Sequence, residues 1–326
     1  MNISRMKLSD QGCYYHLYNR IAGIKGVHPF DDSDKEYGLR LLKNLSEYFL
    51  VEIISAAWMG NHFHLVVYAP GPGELPDTVD IAARHNSYYN KMRRNLTYAG
   101  SQLPRLDPHD TAKCHETGLK MIDISCFMRA LQQRYTVVFN KNRNRVGHLW
   151  ADRFKSVILD QKDSLGTCVM YVEHNPVHAG LKNNPADYQF TTWGRYCGSG
   201  QHMFYDNFVR HLKQNIRAAG DPTQWSDNEL FAYFRGELAR IIAMESGADT
   251  EEILHAQQHA RRGESMPIRF LRRTRHFTDG AIIGSKQFIR EIGVMFENPE
   301  RVKQKQLSRG LSPAGDPIYC FRKLQR

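Results

Sequence analysis

The sequence predicts an α+β fold: a ferredoxin-like (RRM-like) antiparallel sheet with helices on one face, followed by a mainly helical C-terminal region. Three observations lead there. Short alternating runs rich in Tyr, Val and Ile occur at residues 13–20, 51–58, 62–68 and 153–159. Apolar residues at helical spacing separate them, in the order strand, helix, strand, strand, helices, strand, helix. The turn Met59-Gly60-Asn61 is short enough to join only an antiparallel pair. That order suits an antiparallel sheet backed by helices.

Taken in order, CYYHLYNR (residues 13–20) alternates and reads as a strand. Ser33 with Glu36 reads as a capping box ahead of Tyr37, Leu41, Leu45 and Tyr48, a helix ending near Leu50. Residues 51–58 and 62–68 are the second and third strands. In the third, HFHLVVY, successive side chains point to opposite faces, so Phe63, Leu65 and Val67 form a core face while His62 and His64 share the other. PGPG at residues 70–73 breaks the chain. A helix is expected over 78–94, a polar loop or insertion over about 95–121, and a second helix over about 122–140. RFKSVIL (153–159) is the fourth strand. Asp163 can cap a helix with Leu165, Val169 and Val172 as its core stripe. A soft boundary falls near residues 197–200, giving a domain over 1–197 and a basic, mainly helical accessory region over 198–326. There Ser226 and Glu229 form a capping box before Leu230, Tyr233, Phe234 and Leu238, and Ser285 can cap another helix.

The 326-residue chain is 41% hydrophobic and carries a net charge of +10, which affords a core and points to a polyanionic partner. Its six cysteines have no CxxC spacing and read as reduced thiols of a cytoplasmic protein. No apolar run of 18 residues exists and MNISRMKLSD lacks an apolar segment, so neither membrane insertion nor secretion is expected. No Walker A, GxGxxG or GxSxG motif is present.

The histidine pair is either two imidazoles on a solvated strand face or two ligands of one ion, and an ion needs a third ligand. Tyr171 and Asn175, four apart in YVEHNPVHAG, share a helix face off the core stripe. Alternatively, Asn175 caps a short turn begun by Pro176, and Tyr171 is a surface tyrosine. His174 and His178 are a rival zinc pair. Lys141, Arg143, Arg145, Arg153 and Lys155, with His148 and Trp150 interleaved, carry what a single-stranded nucleic acid needs: charge for phosphates and π-faces for bases. A solvated basic loop around a buried tryptophan explains them equally well. Arg261, Arg262, Arg269, Arg272, Arg273 and Arg275 form a second basic cluster, read as a DNA-contacting region or a solvated linker.

Three segments in order resemble a known family. MGNHFHLVVY resembles the HUH motif of single-tyrosine transposases, RVGHLWADRFKSVIL their G-x-L-W-x-x-R-F-x-S segment, and YVEHNPVHAGL the Y-[IV]-x-x-N-P-V-x-A-G-L helix of the REP-associated tyrosine transposase branch. YYHLYNR also fits, and the resemblance spans about residues 12–196. Gly60 stands where the branch usually has proline, and the usual glycine after Asn19-Arg20 is missing. The resemblance implies an HUH endonuclease domain that cuts and rejoins single-stranded or hairpin DNA. It makes Tyr171 the nucleophile and His62, His64 and Asn175 ligands of Mg²⁺ or Mn²⁺, with Mn²⁺ the better fit to two imidazoles. Arg20, Lys141, Arg143, Arg145, His148, Trp150, Arg153 and Lys155 are then the expected DNA contacts of a nucleoid-associated monomer or homodimer. The competing readings are a non-catalytic nucleic-acid-binding protein on an RRM-like sheet, an HUH replication initiator, and a metal-dependent hydrolase unrelated to DNA.

Overall fold

The computed structural model describes residues 6–23, 27–95, 105–161, 163–216, 221–245, 247, 277, 280–304, 307–309 and 318–322. Strands β1 (Cys13–Arg20), β2 (Glu52–Trp58), β3 (His62–Ala69) and β4 (Lys155–Leu159) pair antiparallel in the order β2-β3-β1-β4. Helix α1 (Asp32–Ser46) connects β1 to β2, and α2 (Thr78–Asn95), α3 (Thr111–Ile122) and α4 (Ile124–Asn142) connect β3 to β4. Alternation decides the faces. Leu17, Trp58, Phe63, Leu65 and Val67 are buried on the side of α1 and α4, where Trp58 Nε1–H donates to the Tyr135 hydroxyl at 3.3 Å. Phe63 is 0% exposed and stacks on Trp58 with ring centroids 4.8 Å apart. Phe63→Ala is expected to lower the unfolding free energy by about 3–5 kcal/mol, read from urea titration.

The helices do not keep to one face, as the sequence suggested. Helix α5 (Asp163–His178) crosses the opposite face, where the Ser55 hydroxyl of β2 donates to Glu173 at 2.7 Å. Leu165, Cys168, Val169, Met170 and Val172 are all fully buried. A helix apolar nearly all round needs cover on two sides. The sheet gives one; the other comes from α6 (Thr192–Ser199), α7 (Tyr205–Asn215) and α8 (Asp227–Glu245).

Other expectations need correction. The first helix is capped by Asp31 and Asp34, whose carboxylates and backbone N–H groups satisfy each other, and not by Ser33 and Glu36. Within the expected loop over 95–121, α3 forms because Asp110 caps it and Cys114, Gly118 and Met121 are buried. A Cβ on Gly118 would lie 2.8 Å from Ile81 Cδ1, so that glycine permits the approach to α2. At residue 60 a Cβ would lie 2.8 Å from the His28 Cβ, so the space a proline ring would need is taken.

Among the described residues after 197, helices predominate, but strands occur as well. Strand β5 (Gly280–Gly284) pairs parallel to β4, β7 (Tyr319–Arg322) pairs with β5, and β6 (Ser308–Arg309) with β7, extending the same sheet to seven strands. Helices α9 (Lys286–Gly293), capped by Ser285, and α10 (Pro299–Gln304) lie between them. The expected boundary falls inside α6, whose Trp193 packs on Phe234 of α8 at 4.9 Å in the common core. The arginine cluster at 261–275 lies outside the described residues. The Ser226–Glu229 capping box before α8 is present.

Burial holds several histidines neutral. It pulls His16 down to about 3 and His202 to about 4. Burial, with Arg20 nearby, takes His62 to about 4. Unfolded, each would titrate near 6.5, so below that pH the unfolded chain binds protons the fold does not. Stability is expected to fall as pH drops from about 6.5 toward 4, and His202→Phe should flatten that limb in urea titrations at stepped pH.

Candidate active site

The register of β1 on β3 sets Tyr18 opposite His64 and Arg20 opposite His62. Paired residues share a face, so His16, Tyr18, Arg20, His62 and His64 stand together on the side crossed by α5. The rings of His62 and His64 have centroids 5.0 Å apart at 89°. Tyr171 meets His64 edge-on at 5.7 Å and His16 at 5.9 Å. The Asn175 side chain approaches both the His62 ring and the Tyr171 hydroxyl and opposes the shift that burial imposes on each. The structure thus brings together His62, His64, Tyr171 and Asn175 from one strand and one helix.

Local features hold α5 in this place. Asn175 does not cap a separate turn: α5 runs through Pro176, and the Asn175 carbonyl accepts the Ala179 N–H at 2.9 Å. Between Tyr171 and Asn175, Glu173 is fully buried and accepts from Ser55, the Thr192 hydroxyl and the Trp193 N–H, pinning the helix to β2 and α6. Burial raises the Glu173 carboxyl, and these donors oppose the rise. The rival pair separates, since His174 is buried against Glu245 at 2.6 Å while His178 is exposed.

Burial keeps the Tyr171 hydroxyl well above its ordinary pKa near 10, so it is a phenol here. Its ring stacks on Phe277 at 4.4 Å and is 5% exposed. His64 is held well below the ordinary histidine value by burial first, and then because its charged form would be repelled by Arg20 and by any charge on His62 or His16.

Both histidines have Nδ1 engaged. His62 Nδ1 lies 2.7 Å from Asn61 Oδ1, and the Asn61 amide is fixed by donation from Nδ2 to the Val27 carbonyl at 2.8 Å. His64 Nδ1 lies 2.9 Å from His16 Nε2. Such neutral imidazoles offer Nε2 lone pairs, which fit a divalent ion with the Asn175 amide oxygen as third donor. Among the described residues no group of three His, Cys, Asp or Glu is placed to hold a metal ion.

The expected DNA contacts divide. Arg20, Lys141, Arg145, His148, Arg153 and Lys155 are exposed. Lys155 pairs with Tyr18 across β4 and β1, its ammonium 5.8 Å from that ring, and so stands on the histidine face with Arg20. Arg145 donates to Asn140 Oδ1 and the His148 carbonyl, ordering its own loop. Arg143 is committed elsewhere: it pairs with Asp31 at 2.8 Å and with the buried Asp34, and covers Phe139. Trp150 is half-buried, donates to the Gln132 carbonyl at 3.2 Å and packs edge-on against Phe63 at 5.3 Å, so it is a core-edge residue and not a stacking platform.

Several participants were not singled out from sequence. His16 and Asn61 sit within quoted motifs, but only the strand register and the Val27 contact show their use. Phe277 gave no signal. Tyr18 stands as near His64 as Tyr171 does, at 5.7 Å. Other tyrosines have different partners: Tyr14 bonds His211, Tyr15 accepts from the Leu8 N–H, and Tyr88 donates to Asn44.

No protein family and no curated protein matches the chain in sequence. Among solved structures, a REP-associated tyrosine transposase bound to a REP hairpin superposes with a TM-score of 0.38 and 15% identity, over 61% of this chain and 87% of that one. A superposition of that quality carries no weight for chemistry, which rests on the residues of this chain. No helix among the described residues is long and apolar enough to cross a membrane.

Proposed function

We propose that the protein is a metal-dependent single-stranded DNA endonuclease and strand transferase of the HUH type, working through a 5′-phosphotyrosine on hairpin-forming repeats. The observation that carries this reading is the meeting of His62, His64, Tyr171 and Asn175 on one sheet face. The β2-β3-β1-β4 order, with α1 and α4 on the other face, supports the ferredoxin-like arrangement.

A bound Mg²⁺ or Mn²⁺ would neutralise and orient the scissile phosphate. His62, His64 and Asn175 would hold it; Arg20 and Lys155 would draw the strand to this face. Tyr171 supplies the nucleophile: its hydroxyl proton passes to solvent, the Oη–phosphorus bond forms, the bond to the 3′ oxygen breaks, and that oxygen takes a proton from solvent and leaves as a hydroxyl. The phosphotyrosine conserves the bond, so rejoining to another 3′-hydroxyl needs no nucleotide cofactor.

The test is a denaturing gel of the full chain with 3′-labelled hairpin DNA carrying a single-stranded flank, with and without Mn²⁺. A protein band carrying label supports the proposal. Tyr171 lying closed beneath Phe277 favours a second reading, a non-catalytic nucleic-acid-binding protein; retardation on a native gel with no labelled band selects it. The basic residues also separate: Lys155→Ala or Arg20→Ala should each cut the slope of log K against log salt by about 0.7. Arg143→Ala should leave that slope unchanged and instead lower stability by about 1.5–3 kcal/mol.

A further inference from the structure

The hydrogen bonds beneath His64 run in one direction. The Phe277 main-chain carbonyl lies 3.2 Å from His16 Nδ1. A carbonyl oxygen only accepts, so His16 Nδ1 carries the hydrogen. His16 is 0% exposed, and a buried imidazolium would need a carboxylate partner; its hydrogen-bond partners are the Phe277 carbonyl and the His64 ring. A neutral imidazole has one N–H, so His16 Nε2 is an acceptor. The 2.9 Å contact from His16 Nε2 to His64 Nδ1 then requires the hydrogen on His64 Nδ1. Free neutral histidine favours the opposite tautomer, with its hydrogen on Nε2.

We infer that His16 is a positioning residue: backed by the Phe277 carbonyl, it holds His64 in the Nδ1–H tautomer so that Nε2 presents its lone pair as a metal ligand. Asn61 does the same for His62 through a separate contact, with its amide orientation set by Val27. Orientation of a ligating imidazole through its other nitrogen is a general device of metal sites. Here the partner is a second imidazole, which accepts only while its own hydrogen is drawn to Phe277. The role of Nε2 as a ligand rests on the proposed function; the tautomer does not.

The experiment reads the two apart. Long-range proton–nitrogen NMR on ¹⁵N-histidine-labelled full chain, without metal, reports which nitrogen of each histidine carries hydrogen. The expected result is Nδ1–H at His16, His62 and His64. In His16→Leu, His64 should move toward Nε2–H and Mn²⁺ affinity by calorimetry should fall by about 10–100-fold. In His16→Gln the amide can still accept from His64, so tautomer and affinity should stay near wild type. Nε2–H at His64 in the wild type overturns the inference, as does a His16→Leu chain with unchanged tautomer and affinity. Should both variants fail to fold, the wild-type spectrum decides. Nδ1–H at His64 in a wild-type chain that binds no Mn²⁺ or forms no adduct keeps the tautomer, rejects the ligand role, and sinks the proposed function.

Discussion

Tyr171→Phe is expected to bind hairpin DNA within about twofold of wild type and to form no covalent adduct. The substitution removes one oxygen. Its ring can still stack on Phe277, whose centroid lies 4.4 Å away. Loss of the nucleophile removes the chemical step itself, so no metal concentration should restore the labelled band. Tyr18→Phe is the necessary partner experiment, because the Tyr18 ring is as close to His64 as that of Tyr171. If Tyr171→Phe keeps the adduct and Tyr18→Phe loses it, the nucleophile lies on β1 and the role given to α5 is wrong.

The second large effect is at the histidines. His62→Ala should abolish cleavage while DNA binding stays within about threefold, since binding rests on exposed basic residues. His62 is the cleaner site because it is only half-buried. His64→Ala should give the same loss of cleavage with a larger fall in stability, because it leaves the buried His16 Nε2 without its donor. Asn175→Ala should cleave weakly and recover in part at higher Mn²⁺, having lost one ligand and kept the nucleophile. Cleavage measured against binding over a Mn²⁺ series checks all three. Equal losses of binding and cleavage in His62→Ala would assign the histidine to folding.

What could be read from sequence was local. The alternation in HFHLVVY placed Phe63, Leu65 and Val67 in the core and His62 and His64 on the other face, because side-chain parity along a strand needs no knowledge of its neighbours. The four-residue spacing of Tyr171 and Asn175 was equally local. Whether α5 stops at Pro176 was not, since burial of the whole segment overrides the turn signal there. Arg143 looked like its neighbours until Asp31 and Asp34, distant in sequence, claimed its charge. Trp150 could have been platform or core; Phe63 and Gln132 decide. His16 became meaningful only once the pairing of β1, β3 and the Phe277 carbonyl was known, and no periodicity encodes such a register.

The parallel pairing of β5 on β4 has a consequence in time. A chain growing at about 5–20 residues per second has His62, His64 and Tyr171 seconds before the residues around 277 exist. During that interval His16 has no Phe277 carbonyl to orient it, and Val157, Ile158 and Leu159 of β4 form an open, apolar sheet edge. Such edges pair readily with other chains. Closing this one and setting the histidine relay depend on the same late segment. In the folded chain the cover of the β4 edge and the carbonyl partner of His16 therefore come from neighbouring late residues, 280–284 and 277.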